Sequence, residues 1–168
     1  MFTIKKKSAA LGATIENLDL TIPLQQDDKV ELTKALAEHQ VLFFRDQDIT
    51  HGNHKDFGLA FGSLQSHPSY PIINGFEEIM ILENDRENPS KIDEWHTDMS
   101  FKPKPPLGSI LIARIMPENG GDTMFASLAA AYEDLPASLK KSLAVMTACY
   151  AHRIVILCQA QTGAIIQF

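Results

Sequence analysis

His96 and Asp98 are the residues of this chain whose types and spacing best suit chemistry. On a β-strand, residues two apart project from the same face. A neutral imidazole and a carboxylate would then enter one pocket together. Such a pair suits a divalent metal such as Fe(II), Mn(II) or Zn(II), and it supplies two members of a 2-His-1-carboxylate facial triad. The spacing alone is a weak signal, because many surface strands place a histidine beside a solvated carboxylate by chance. The flanks sharpen it. Trp95 and Phe101 bracket the pair, and Pro103, Pro105 and Pro106 follow at once. Then come an apolar run, Ser109 to Ile115, and a turn, Pro117-Glu118-Asn119-Gly120-Gly121-Asp122-Thr123.

The elements that must position this pair follow from the hydrophobic pattern and the caps. Phe2 to Ile4 and Leu11 to Ile15 read as short strands. Asp27 or Asp28 is an N-cap for a helix from Val30 to His39, with Val30, Leu32, Ala35 and Leu36 on its buried stripe. His39 then sits at a helix end, where the macrodipole favours it. Val41 to Phe44 is wholly apolar, as in a buried strand. Thr50 caps a helix from His51 to Ala60, and His51 and His54 read as surface residues. Ser63 to Gly75 is a loop, Glu78 to Leu82 a strand, and Glu83 to Lys91 a polar segment that suits either a lid or a plain surface loop. Strands are expected around His96, over Ser109 to Ile115 and over Thr123 to Phe125. Ser127 caps a helix to Asp134, Pro136 opens another to Ala144, and Val145 to His152 forms a last strand. The stretch 154–168 is apolar and carries no recognisable pattern.

Composition narrows the class. The 168 residues suit one domain, 1–168, with a sizeable core. Hydrophobic content of 45% and charged content of 21% are those of a soluble globular protein. A net charge of −6 argues against nucleic acid as a partner. Lys5-Lys6-Lys7 reads as a solvated chain start rather than a membrane patch. Cys149 and Cys158 suit buried thiols, not a disulfide framework or a cysteine-based zinc site. No signal peptide and no apolar run of membrane-spanning length is evident, so the cytoplasm is the expected location.

Several ordered motifs resemble the taurine dioxygenase family. Trp95-His96-Thr97-Asp98 with Phe101, Pro105-Pro106 and Gly120-Gly121-Asp122-Thr123 carry the likeness, with Val41-Leu42-Phe43-Phe44-Arg45-Asp46-Gln47, Phe61-Gly62, His67-Pro68-Ser69-Tyr70-Pro71 and Ala130-Ala131-Tyr132-Glu133 in support. It extends from about Phe2 to about Tyr150. The resemblance implies an α+β fold: a double-stranded β-helix (jelly roll) core flanked by helices. It implies Fe(II) held by His96 and Asp98, with 2-oxoglutarate and O₂ as cosubstrates and Thr123 donating to a 2-oxoglutarate carboxylate. His67 and Tyr70 match positions that contact a small anionic substrate. The implied reaction couples decarboxylation of 2-oxoglutarate to hydroxylation of a C–H bond. In taurine-type members the hydroxylated carbon bears a sulfonate, and the product falls apart to sulfite and an aldehyde.

Two departures qualify this. Taurine-specific members carry an asparagine shortly before the Trp-His pair, where Ile92 stands here. That favours another organic sulfonate, a sulfate ester or a carboxylate. The family's third iron ligand, a histidine, and its 2-oxoglutarate-binding arginine lie far beyond the Gly-Gly-Asp-Thr turn. His152 and Arg153 are the only His and Arg after Thr123. They are adjacent, so a strand would point them opposite ways, and they come too early to match. The expectation is the N-terminal portion of a jelly-roll oxygenase, incomplete at its C-terminus, with 154–168 an atypical tail and homo-oligomers a further expectation. The alternative is a non-catalytic, degenerate jelly roll that binds metal weakly or only packs against a partner. A zinc hydrolase has less support, because no third ligand or general base is evident.

Overall fold

A computed structural model describes residues 1–67, 70–89, 94–151 and 154–159. The chain divides into two compact units, residues Met1–Thr97 with Pro106–Ala113, and residues Asp98–Pro105 with Arg114–Phe168.

The first unit is built on a three-stranded sheet. Strands β1 (Thr3–Lys6) and β2 (Ala13–Glu16) pair antiparallel, with Thr3 opposite Glu16 and Lys6 opposite Ala13. Gly12 makes the return possible, since its φ of 90° is open to glycine but strained for most residues. Helix α1 (Gln26–His39) then carries the chain across to β3 (Leu42–Phe44), which lies parallel to β2. A parallel neighbour needs such a crossover. β2 is therefore the middle strand, and Ala13, Thr14 and Ile15 are all buried.

Helix α1 starts earlier than its aspartates suggest. Gln25 is the N-cap, and the Asp28 carboxylate accepts a hydrogen bond from the Gln25 N–H at 3.2 Å. Asp27 and Asp28 thus lie in the first turn, where the helix dipole favours acidic groups, rather than at the cap. Leu32, Ala35 and His39 face the core, whereas Val30 is exposed. Gln40 ends the helix in the left-handed region at φ 64°, and its N–H returns to the Leu36 carbonyl at 2.8 Å. His39 is buried, and its carbonyl accepts from the Gly12 N–H at 2.8 Å, so the helix end is fastened to the start of β2.

Helix α2 (His51–Leu59) begins at a reciprocal cap. Thr50 Oγ1 accepts from the Asn53 N–H at 3.2 Å, and Asn53 Oδ1 accepts from the Thr50 N–H at 3.1 Å. Its Phe57 ring meets Phe44 and Phe61 edge to face, each with centroids 5.3 Å apart. A Cβ at Gly58 would come to 2.8 Å from Leu64 Cδ2, so a larger residue there would require that leucine to turn aside. The core gathers Phe2, Ile15, Leu20, Leu32, Ile49 and Phe57. Against α2 lies a small hairpin, β4 (Ile72–Ile73) and β5 (Phe76–Met80), turned by Gly75 at φ 80°. Lys55 on α2 binds Glu78 on β5 at 2.8 Å. His51 and His54 are not plain surface residues. His51 lies against the Phe76 ring with centroids 5.6 Å apart, and His54 Nε2 donates to the Ile110 carbonyl at 3.1 Å.

The second unit contains α3 (Leu128–Glu133), α4 (Ala137–Leu143) and the antiparallel pair β6 (Met146–Ala151) and β7 (Ile154–Gln159). Ser127 caps α3 by accepting from the Ala130 N–H at 3.0 Å. Lys140 on α4 donates to the Glu133 carbonyl and carboxylate, both at 2.9 Å, and lies over the Tyr132 ring. β7 occupies the first part of the stretch that carries no recognisable pattern. Its remainder, 160–168, lies outside the described residues.

Among the described residues, three expected strands are not formed. Trp95–Thr97 are irregular, and Asp98–Phe101 form a turn. Residues 109–115 and 123–125 lie outside all three sheets, and Ile115 is 90% exposed. An apolar run fixes a strand only when a neighbouring strand takes up its hydrogen bonds. The mixed helix and strand content agrees with the α+β expectation, and the described strands form three small sheets.

Two outcomes test this description. Gln47 accepts from the Leu20 N–H and donates to the Leu18 and Arg45 carbonyls, all at 3.0 Å. Gln47→Ala should therefore cost about 1–3 kcal/mol by urea unfolding, since it strands partly buried backbone groups. A loss within error of zero would show that the brace is dispensable. The Lys55 ammonium, by hydrogen-bonding Glu78, holds that carboxyl below the ordinary value of 4.5. The unfolded state then binds the proton first, so this contribution is present above about pH 4.5 and is lost as pH falls through the folded value. Unfolding curves of wild type and Glu78→Gln should differ at neutral pH and converge in acid; parallel curves would contradict the pairing.

Candidate functional site

The His96 ring is oriented by a backbone contact within its own segment. Its Nδ1 lies 2.9 Å from the Glu94 carbonyl oxygen. A carbonyl can only accept, so Nδ1 is the donor in this contact. Metal-binding histidines are commonly oriented in this way by a backbone carbonyl. The side chain is exposed.

Asp98 is exposed as well, and it opens the second unit while His96 lies near the end of the first unit's long segment. The strand pleat expected to align the two is not formed. Met99 adopts φ 57°, and the Lys102 N–H closes the turn on the Met99 carbonyl at 3.0 Å. The side-chain alternation of a strand therefore does not govern this pair. The chemistry of the donors, one imidazole nitrogen and one carboxylate, still fits a divalent ion. Among the described residues, no three His, Cys, Asp or Glu side chains converge into a metal-binding group.

His67 and Tyr70 do come together. Their ring centroids are 4.8 Å apart with planes inclined at 58°. An imidazole and a phenol side by side offer two donors to an anionic oxygen. Pro68 and Ser69, between them, lie outside the described residues. Thr123 is exposed and follows a turn in which Gly120 and Gly121 have φ of 80° and 73°. A Cβ on Gly121 would also press on Pro117 Cγ at 3.1 Å. Ile92, Asp93, His152 and Arg153 lie outside the described residues, so the departures noted at those positions rest on sequence.

The residue whose function sequence reading missed is Gln47. Its three backbone hydrogen bonds span up to 29 positions, and no local spacing signals them. An open groove lined by Leu20, Ile22, Leu24, Lys29, Asp56 and Phe57 contains none of the candidate residues. No described helix is long and apolar enough to cross a membrane.

Residues 3–155 match the family described as "Taurine catabolism dioxygenase TauD, TfdA family". The chain is 37% identical over 139 residues to an alkylsulfatase of Acinetobacter baylyi, covering 82% of this chain and 43% of that protein. It is 33% identical over 132 residues to an alpha-ketoglutarate-dependent sulfate ester dioxygenase of Pseudomonas putida, covering 78% and 43%. The structure is similar to that of a taurine dioxygenase from Burkholderia xenovorans, with a TM-score of 0.75 and 33% identity over 86% of this chain and 51% of that one. The chain thus spans about half the length, or less, of these relatives. With the match running through the His96–Asp98 and Gly120–Thr123 motifs, the chain belongs to the taurine catabolism dioxygenase TauD, TfdA family.

Proposed function

We propose that the chain supplies the N-terminal portion of an Fe(II)- and 2-oxoglutarate-dependent dioxygenase with a double-stranded β-helix core, acting on a small organic sulfate ester or sulfonate. The observation that carries this is the 37% identity to an alkylsulfatase over 139 residues, a stretch long enough to include every candidate residue class. The substitution of Ile92 for the asparagine of taurine-specific members agrees with a substrate other than taurine.

The residues divide the task by their chemistry. His96, its Nδ1 on the Glu94 carbonyl, would offer Nε2 to the metal, and Asp98 would offer a carboxylate. A bound Fe(II) would supply the dioxygen chemistry that side chains lack. Thr123 would donate its hydroxyl to a carboxylate oxygen of 2-oxoglutarate. His67 and Tyr70, with rings 4.8 Å apart, would receive the sulfate or sulfonate oxygens. On a sulfate ester, hydroxylation of the carbon bearing the ester oxygen gives an adduct that collapses to an aldehyde and inorganic sulfate.

A second reading is favoured by one observation: no three ligands converge among the described residues. On that reading residues 1–168 alone form a non-catalytic domain with a loose two-ligand metal site.

Anaerobic titration with Co(II) tests the site. The wild-type chain should bind one equivalent, and the double variant His96→Ala, Asp98→Ala should bind at least about 100-fold more weakly, as for the loss of metal ligands or their supports. Equal affinities would remove both residues from the site. Turnover is tested by succinate release under O₂ with Fe(II), ascorbate and an alkyl sulfate. The chain alone should give less than about 1% of the rate of a full-length relative, since misplacement of reacting groups alone costs about 100-fold. Multiple turnovers by the chain alone would overturn the two-ligand reading and require a third ligand on this polypeptide.

A further inference from the structure

Helix α2 meets β5 at two points. His51 and Lys55 are one turn apart, so they share a face of the helix. Phe76 and Glu78 are two apart, so they share a face of the strand. The two faces meet. The His51 and Phe76 rings have centroids 5.6 Å apart, and Lys55 Nζ donates to Glu78 Oε1 at 2.8 Å. The two charged side chains are only 33% and 29% exposed. Glu78 Oε2 is buried and has no hydrogen-bond partner among the described residues. Loss of Lys55 would therefore leave a largely buried carboxylate without its cation, which is costly. A two-point contact fixes the direction of the strand as well as its position.

The hairpin passes this placement on. Ile72 pairs with Met80 and Ile73 with Phe76, and the Ile81 N–H donates to the Pro71 carbonyl at 2.8 Å. The pairing thus reaches back to Pro71. A proline has a fixed φ and biases the residue before it toward extended backbone. That residue is Tyr70. Few torsions then separate the fastened strand from the Tyr70 ring, whose centroid is 4.8 Å from that of His67.

We propose that Lys55 is a positioning residue for the His67–Tyr70 pair. Through Glu78 and the β4–β5 hairpin it sets where the Tyr70 hydroxyl stands beside the His67 imidazole. It thereby sets the spacing of two donors toward the oxygens of a sulfate ester or sulfonate. Lys55 touches no ligand in this role, because its ammonium is committed to Glu78. Hydrogen bonds weaken steeply as their geometry departs from the optimum, so a displaced Tyr70 would serve the anion poorly. The inference rests on the reading of His67 and Tyr70 as the anion-binding pair.

The test uses the 168-residue chain with methyl sulfate as the probe. Nuclear Overhauser effects between the His67 and Tyr70 rings read their contact without any anion, and shift changes on titration read the affinity for methyl sulfate. Both are taken on folded protein, so a loss of stability alone moves neither. Lys55→Met keeps the stem and removes the charge. It should abolish the ring contact and weaken methyl sulfate about tenfold, the order of one lost hydrogen bond to a charged group. Glu78→Leu removes the same pair from the strand side while Lys55 turns to solvent. It should act alike, and it reports if Lys55→Met does not fold. Lys55→Arg keeps the cation and should retain both readouts. Tyr70→Phe keeps the ring contact and loses the hydroxyl, so it should weaken methyl sulfate alone. An unchanged ring contact in Lys55→Met and Glu78→Leu, with methyl sulfate bound as by wild type, overturns the inference and leaves the anion reading standing. A wild-type chain indifferent to methyl sulfate overturns the anion reading, and the inference with it.

Discussion

The parallel pairing of β2 with β3 is the constraint on which the first unit depends. It places β2 between two neighbours and buries Ala13, Thr14 and Ile15 together. Parallel strands cannot be joined by a tight turn, so α1 must cross, and its Leu32 is driven fully out of solvent against that sheet. The return is fixed at both ends. His39 O receives the Gly12 N–H, Val41 O receives the Ala13 N–H at 2.9 Å, and Gln47 ties Leu18 and Leu20 to the exit from β3. Backbone groups removed from water must find partners, and here side-chain and loop partners do what a longer sheet would otherwise do.

From that frame the candidate residues are held unequally. His67 and Tyr70 stand ring against ring in the loop before the β4–β5 hairpin. The hairpin is fastened to α2 by Lys55 and Glu78. His96 has its ring oriented by the Glu94 carbonyl, which is a property of its own short segment and needs no sheet. Asp98 and Thr123 belong to the second unit, where the apolar residues around them remain exposed. A carboxylate at a turn and a hydroxyl on an exposed run have the right atom types for metal and cosubstrate.

The sequence by itself determined the local features. Thr50 and Ser127 cap α2 and α3 as their side chains demand, Pro136 opens α4, and the apolar run before Arg45 forms β3. The family was legible too, because its motifs are ordered residue types that need no contact to be recognised. What only the tertiary structure decided was anything that depends on a distant partner. Helix α1 begins at Gln26 because the Asp28 carboxylate turns back to Gln25 rather than capping from its own position. His54 became a tether because Ile110, 56 positions away, presents its carbonyl. The run 109–115 has strand-like residues but forms no strand among the described residues, and Ile115 lies in solvent. Periodicity records which side chains prefer burial; whether a face is buried, and whether a backbone finds its ladder, depends on chain that lies elsewhere in the fold.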